Sequence, residues 1–368
     1  MKNRTILCSH LALEGIPYNI GKKLGDHYTQ DADFIAFMGS PFMGQARRSD
    51  EATKQIMASF DRYCPHLNEE MQGFADAVHI DPMHIAFYFS YIIHPPHCSQ
   101  VAILPKGSKD GKLYHGRNYD FGWDEPPVLL TVKSTESYAH IGFSLQLFGR
   151  YDGMNEKGLC VSTASSQCMP TLKEEGFVFP GVVRSLLDGC ADVKEAEALL
   201  ASIPISDCRN FLLSDASGRV TIVECHHSQK VIETVQNKSY AISMDHNQAE
   251  PFKKLNLTYP VSSKVRGIAA RRYFDSQPKM GLDDLKALLD LEYPKGLHMP
   301  YYHQGMGTMW SIVFDPSDLS AHVRFGSNRN PWHVITLDTP ATDYPSTFHS
   351  KDTHEDIYAP VHIHTDRP

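Results

Sequence analysis

The texture of this 368-residue chain changes once, and it changes at a cysteine. Before His94-Pro95-Pro96-His97 the apolar residues recur at helical spacing, whereas from Cys98 onward they come in short runs divided by turn residues. Asp50 to Tyr63 sets Ala52, Ile56, Met57 and Phe60 on one face, and Leu67 to Val78 does the same with Met71, Phe74, Ala75 and Val78. Asp81 then reads as an N-cap with Pro82 at the first helical position, opening a helix towards Pro95. These apolar positions read as core packing. The spacing therefore predicts a helical segment over residues 1–97 and a strand-rich body over residues 98–368.

Within the body, Val101-Ala102-Ile103-Leu104 and Lys112-Leu113-Tyr114-His115 flank a Gly- and Asp-bearing connection, the pattern of a hairpin. Further strands are expected at Val128 to Lys133, Ile141 to Leu147, Gly158 to Ser162, Phe211 to Ser214, Val220 to Cys225 and Ser239 to Met244. Helices are expected at Gly181 to Leu187, at Val193 to Leu200 behind an Asp192/Glu195 capping box, at Val265 to Phe274 and at Leu282 to Leu289. Strands at Met309 to Phe314 and Ala321 to Phe325 follow. Strands, paired helices and strands again make an α+β body.

Charge and apolar content narrow the function classes. A net charge of -8 is wrong for a nucleic-acid binder, and no apolar run approaches the length of a membrane span. Thr5-Ile6-Leu7-Cys8 is too short for a signal-peptide core, so a cytoplasmic protein is the expectation. The eight cysteines show no C-x-x-C pair, which leaves most of them as buried apolar residues. His349, His354, His362 and His364 enrich the tail from Thr347, read as a solvated terminus; no metal and no other cofactor is expected.

A nucleophilic cysteine needs a cation to favour its thiolate and a base to take its proton. If the strand after the hairpin pairs with the strand that Cys98 leads, Arg117 supplies the cation and Asp120 can hold a basic group. The same Gly116-Arg117-Asn118-Tyr119-Asp120 stretch also suits a charged hairpin edge.

Read together, several segments carry a family resemblance. Cys98 with Gly116-Arg117-Asn118-Tyr119-Asp120-Phe121 resembles the start of the mature chain in choloylglycine hydrolases. Asp152-Gly153-Met154-Asn155-Glu156-Lys157-Gly158-Leu159 resembles that family's Gly-x-Asn-Glu-x-Gly-Leu loop, and Asn210 to Gly218 its central hairpin. Gly15 to Gly21 and Cys64 to Ala75 are similar to the pro-region of acyl-coenzyme A:6-aminopenicillanic acid acyltransferases.

The resemblance implies an N-terminal-nucleophile αββα four-layer sandwich preceded by a helical pro-region, cut by the chain itself between His97 and Cys98. It implies Cys98 as nucleophile with its freed α-amine as base, Arg117 beside the thiolate, Asp120 on the amine and Arg266 as the late supporting arginine. An oxyanion donor is expected from a Thr-Asn-His-like segment, which here reads Met244-Asp245-His246, so Asp245 stands where an Asn should be. Asn247 or a neutral Asp245 is then the candidate donor, with a backbone N–H near Ser165 as the second. His97 likewise replaces the Gly expected before the cut. Tyr119, Phe121, Trp123 and Phe143 are candidates for an apolar pocket, or for core.

The expected function is a self-processing amidase acting on a linear carbon–nitrogen bond of a small N-acyl compound, with acyl transfer to an amine as the alternative. An unprocessed, non-catalytic binding protein of the same fold is the rival, supported by Asp245 and His97. Neither a nucleic acid nor a membrane is expected as a partner; a homo-oligomer is open.

Overall fold

The computed structural model describes residues 2–40, 50–91, 97–122, 126–145, 147–166, 176–227, 229–254, 256, 260–352 and 357. Two sheets form its centre. One is nine-stranded, in the order β10 (Gln229–Thr234), β9 (Val220–His226), β8 (Cys208–Ser214), β7 (Cys160–Ser165), β6 (Asp152–Asn155), β5 (His140–Ser144), β4 (Val128–Ser134), β1 (Lys2–Gly15) and β16 (Thr342–Ser350). The other runs β11 (Tyr240–Met244), β2 (His97–Ile103), β3 (Tyr114–Phe121), β13 (Met306–Asp315), β14 (Ser320–Phe325) and β15 (His333–Ile335), with β12 (Pro300–Tyr301) beside β13.

Ten helices are described. The leader carries α1 (Pro17–Tyr28), α2 (Ala32–Met38), α3 (Asp50–Tyr63), α4 (Leu67–Val78) and α5 (Pro82–Tyr91). The body adds α6 (Phe179–Gly189), α7 (Val193–Ser202), α8 (Glu250–Lys253), α9 (Val261–Asp275) and α10 (Leu282–Asp290). Helices α6 and α7 cover the nine-stranded sheet, and α9 and α10 cover the other, while β2 and β11 face β7 and β8 across the middle. This is an α+β fold of four layers, αββα, as the sequence led us to expect.

The local signals are satisfied as chemistry requires. Asp81 accepts from the Met83 N–H at 2.8 Å, and Asp192 accepts from Lys194 and Glu195 at 2.8 and 3.0 Å. Asn155 organises its loop: its oxygen takes the Lys157 and Leu159 N–H groups, and its amide donates to the Leu187 and Cys190 carbonyls. Gly158 closes that loop at φ +84°, a conformation that costs a side chain strain. The loop motif thus pins the end of α6 to the sheet.

Two expectations change. Residues 2–15 do not belong to a helical segment; they form β1, lying parallel to β4 and antiparallel to β16. Ile6, Cys8 and His10 are buried in alternation, the period of a strand, but the partners of β1 lie more than a hundred residues away. The leader is therefore helical only from Pro17 onward. The second change is at the other end, where Thr347 to Ser350 close β16 instead of forming a solvated terminus. His349 stands in that strand opposite Asn3, whereas His354, His362 and His364 lie outside the described residues. No described helix is long and apolar enough to cross a membrane.

A polar ladder ties the two sheets together beneath β2. Ser162 donates to Gln100 Oε1 at 2.6 Å, and the ring of His115 bridges Ser162 and Ser214 at 2.7 and 2.8 Å. Burial pushes the His115 imidazole down to about 3, so it stays neutral and its two nitrogens serve as one donor and one acceptor.

Candidate active site

Strand β2 pairs antiparallel with β3, setting Cys98 opposite Tyr119, Gln100 opposite Arg117 and His97 opposite Asp120. Side chains alternate along a strand, so Arg117 and Tyr119 face the other sheet while Asn118 and Asp120 face the helix layer. The hydrogen bonds agree: Arg117 reaches Asp152 on β6, whereas Asn118 donates to the Leu289 carbonyl on α10.

On the inter-sheet side, Arg117 Nη2 lies 3.1 Å from Cys98 Sγ, and its Nη1 donates to the Tyr151 carbonyl at 2.6 Å and Asp152 Oδ2 at 2.5 Å. Asp152 is held in turn by the Trp310 indole at 2.9 Å and the Phe143 N–H at 3.2 Å. Gly142 permits this packing, because a Cβ there would sit 2.2 Å from the Asp152 carbonyl.

On the helix side, Arg266 of α9 donates from Nη1 to Ser99 Oγ (2.7 Å) and Asp120 Oδ2 (2.9 Å), and from Nη2 to Asp245 Oδ2 (2.7 Å). Thr308 holds the other Asp120 oxygen at 2.6 Å. Asp245, just past β11, takes the Cys98 N–H on both carboxylate oxygens, at 2.9 and 3.0 Å, and the Ser165 N–H at 3.2 Å.

Cys98, Arg117, Asp120 and Arg266 are fully buried. Burial pushes the Cys98 thiol up to about 12 against the pull of Arg117. Burial likewise lifts the Asp120 carboxyl to about 7, opposed by Arg266 and Thr308. Burial lowers the imidazole of His97, and it brings that of His246, hydrogen-bonded to Ser263 at 2.7 Å, down to about 4. Both rings are neutral at neutral pH.

Cys98, Arg117, Asp120, Asp245, Arg266 and the Ser165 backbone thus meet, with roles distributed differently from the expectation. Asp120 does not hold the Cys98 nitrogen; it faces the helix layer and binds Arg266 and Thr308. Asp245 holds that nitrogen instead. Its oxygens accept from Cys98, Ser165 and Arg266, so it is not arranged as an oxyanion donor. Asn247 is clamped, accepting from Ser166 Oγ at 2.9 Å while its backbone exchanges two bonds with Asn256. Its Nδ2 is buried and has no acceptor among the described residues.

The aromatic candidates divide. Tyr119 stacks on Trp310 at 3.9 Å, and Phe143 stacks on the same indole at 4.4 Å, which makes both part of the core. Phe121 ends β3 half-buried, and Trp123 lies outside the described residues. Ser99, Asp152, Thr308 and Trp310 were missed by sequence reasoning. Asp152 immediately precedes the Gly-x-Asn-Glu loop, the one available clue; strand positions alone do not reveal the others.

Six cysteines are free and buried among the described residues, Cys98 among them, in line with most being small apolar residues, while Cys208 is disulfide-bonded. Cys208, His226 and His227 bring potential ligand atoms within 4.8 Å of one another. With Cys208 bonded to sulfur, no thiolate is offered there.

The sequence pattern of the family described as acyl-coenzyme A:6-aminopenicillanic acid acyl-transferase matches residues 107–330, more than half of the chain. That span holds Arg117, Asp120, Asp152, Asp245 and Arg266; Cys98 precedes it. No curated protein matches. Among solved structures, a variant of conjugated bile acid hydrolase from Clostridium perfringens is 14% identical with a TM-score of 0.50, over 70% of this chain and 99% of that one. Penicillin V acylase from Agrobacterium tumefaciens is 19% identical, TM-score 0.48, over 67% and 90%. A Caenorhabditis elegans ortholog of N-acylethanolamine-hydrolyzing acid amidase is 12% identical, TM-score 0.47, over 60% and 93%. At such identities the likeness to the first of these concerns the fold, that of N-terminal-nucleophile hydrolases.

Proposed function

This chain belongs to the acyl-coenzyme A:6-aminopenicillanic acid acyl-transferase family, and from that premise we propose that it is a self-processing cysteine amidase. It cuts itself between His97 and Cys98, then cleaves the linear amide bond of a small N-acyl compound through a thioester on Cys98. The observation that carries this reading is the pair of contacts at one residue: a guanidinium 3.1 Å from the Cys98 sulfur and a carboxylate on the Cys98 nitrogen.

The uncut chain is dormant by this account. Its Cys98 sits without exposed surface, its thiol is held protonated by burial, and its nitrogen is an amide without basicity. Cleavage turns that nitrogen into an α-amine with a reference pKa of about 8, able to take the thiol proton. Arg117 then stabilises the thiolate by charge attraction. The thiolate adds to the substrate carbonyl, the leaving amine takes the proton from the α-ammonium, and water releases the acid from the thioester. The Asn247 amide, held on its other sides and with Nδ2 unsatisfied, is the candidate side-chain donor for the oxyanion. Acyl transfer to an amine is the second reading, favoured by the family's description.

The test uses arylacetyl and fatty-acyl amides of amino acids. Acid-quenched enzyme should carry the acyl mass on the Cys98 peptide while free acid accumulates. A new amide formed at the expense of acid when a second amine is added would favour transfer. Amide turnover with no adduct on Cys98, and undiminished in Cys98→Ser, would reject the assignment.

A further inference from the structure

Around Cys98 the described ion pairs join three carboxylates, Asp120, Asp152 and Asp245, to two guanidiniums, Arg117 and Arg266. His97 and His246 flank the cluster as neutral rings. With Asp120 ionised the uncut cluster is one positive charge short, and the Asp120 carboxyl, lifted to about 7, meets part of that shortage with a proton. Buried charges persist only when compensated, so the shortage is costly unless something supplies the charge.

The carboxylate that shows the shortage is Asp245. Arg266 binds one of its oxygens at 2.7 Å and the Ser165 N–H the other at 3.2 Å. Both oxygens also converge, at 2.9 and 3.0 Å, on a nitrogen that has a single hydrogen to give. That nitrogen is the one released by the cut, and an ammonium there has the charge and the donors that the two oxygens lack.

Resting on the reading above, we propose that Asp245 is a catalytic residue of self-cleavage, binding the Cys98 nitrogen as it changes from amide to ammonium, and that it afterwards holds the α-amine of the mature enzyme. In the step, Cys98 Sγ adds to the His97 carbonyl carbon. The carbon–nitrogen bond breaks, the thiol proton passes to the nitrogen, and a proton from solvent completes the ammonium against Asp245. Water then hydrolyses the thioester, leaving a carboxylate on His97 and the thiol on Cys98. An Asn at this position would put one acceptor and one repelling NH₂ group in place of two acceptors. Asp120, bound by Arg266 and Thr308, makes no described hydrogen bond to this nitrogen.

The mature enzyme inherits a consequence. A carboxylate against the α-amine favours the ammonium and so raises the pH at which the base becomes available. The groups facing that nitrogen and its carboxylate are Arg266 from α9, Asp120 and Arg117 from the neighbouring strand β3, Asp152 from the other sheet, and His97 and His246 along the chain. Replacing Asp245 by Asn removes the nearest negative charge while leaving the two guanidiniums. The acid limb of the pH–rate profile should therefore move down by about one unit or more.

The experiment follows pulse-labelled full-length chain from cell-free translation, wild type, Asp245→Asn, Asp245→Glu and Cys98→Ala, by intact mass between pH 5 and 9. Cleavage in Asp245→Asn should be at least about a hundredfold slower than in wild type. Asp245→Glu should recover most of the rate, and whatever Asp245→Asn does become cut should show the lowered acid limb. A folded Asp245→Asn chain that cuts within about threefold of the wild-type rate would overturn the proposal, as would an unshifted acid limb in its cut form. Should Asp245→Asn fail to fold by near-ultraviolet circular dichroism, Asp245→Glu decides: cutting supports the role, and a folded but uncut chain refutes it. A wild-type chain that never cuts, or a Cys98→Ala chain that does, removes the underlying self-processing reading instead, so the two failures are distinguishable.

Discussion

Two buried cysteines of this chain sit beside ionic clusters, and the sign of the nearest charge separates them. Cys98 has a guanidinium 3.1 Å from its sulfur. Cys64, at the end of the leader's α3, has Asp188 Oδ2 at 3.8 Å, and both burial and that carboxylate push its thiol up. A negative neighbour makes a thiol inert, whereas a positive one makes it available once a base appears. The clusters differ in balance as well. At the leader interface, Glu70 meets Arg184 at 2.7 Å and Asp188 meets Arg184 at 2.6 Å, with the buried Arg150 close by, so charges cancel. Around Cys98 three carboxyls face two guanidiniums, and the Asp120 carboxyl is lifted to about 7. The balanced cluster joins residues on the two sides of Cys98, whereas the cluster at Cys98 is the one for which we propose a charge gained on cleavage.

The largest effect expected from this contrast is at the two sulfurs. Cys98→Ala should reduce both self-cleavage and amide hydrolysis to background, whereas Cys64→Ala and Cys160→Ala should keep most of the activity. In the cut protein, iodoacetamide should label Cys98 first, read by peptide mass. Labelling of Cys64 with activity lost in step would reverse the comparison.

Next comes the guanidinium. Arg117→Met should lower the rate by about a hundredfold or more, and should cost roughly 3–5 kcal/mol of stability because it strands the buried Asp152. Adding Asp152→Asn should restore much of the stability and none of the rate. Recovery of both together would make Arg117 a purely structural ion.

At the leader interface the expectation is inverted. Glu70→Gln or Arg184→Met should destabilise the protein by about 3–5 kcal/mol, seen in urea unfolding, while the cleavage rate of folded chain stays near wild type. A collapse of cleavage at unchanged stability would erase the distinction between the clusters.

The smallest effect is a pH dependence. Burial alone would raise the Asp188 carboxyl, but Arg184 and His140 outweigh it and bring it down to about 2. A depressed carboxyl contributes stability that is present above its unfolded value near 4 and lost as pH falls towards 2, a contribution of about 2 kcal/mol. Asp188→Asn should flatten the unfolding free energy across that window, and an unchanged slope would take Asp188 out of the network.

How much of this was legible beforehand follows from which interactions are local. Helices α3, α4 and α5 and the β2–β3 hairpin were readable because caps, periodicity and turn residues lie within a few positions of one another. The Cys98–Arg117 contact was readable because one hairpin fixes its register. Strands β1 and β16 were not, since each depends on partners at the far end of the chain. In the uncut chain Asp120 does not hold the Cys98 nitrogen, for a reason visible in its number: it is three positions from Arg117, so pleating turns it to the opposite face. Asp245 could be located by its neighbour His246, but its grip on the Cys98 nitrogen depends on the pairing of Met244 with Ser99, which the sequence does not display.

The central claim is that Cys98 becomes an N-terminal nucleophile, and intact mass of purified wild-type protein under denaturing conditions tests it most directly. The account predicts two masses, for residues 1–97 and 98–368, with N-terminal sequencing of the larger fragment beginning at Cys98 and with Cys98→Ala remaining whole. The fragments should stay together natively, fastened by the Glu70–Arg184 pair and the leader's apolar helices. A single 368-residue wild-type chain that nonetheless hydrolyses amides at full rate would contradict the account, because its Cys98 nitrogen would still be an amide and could not be the base.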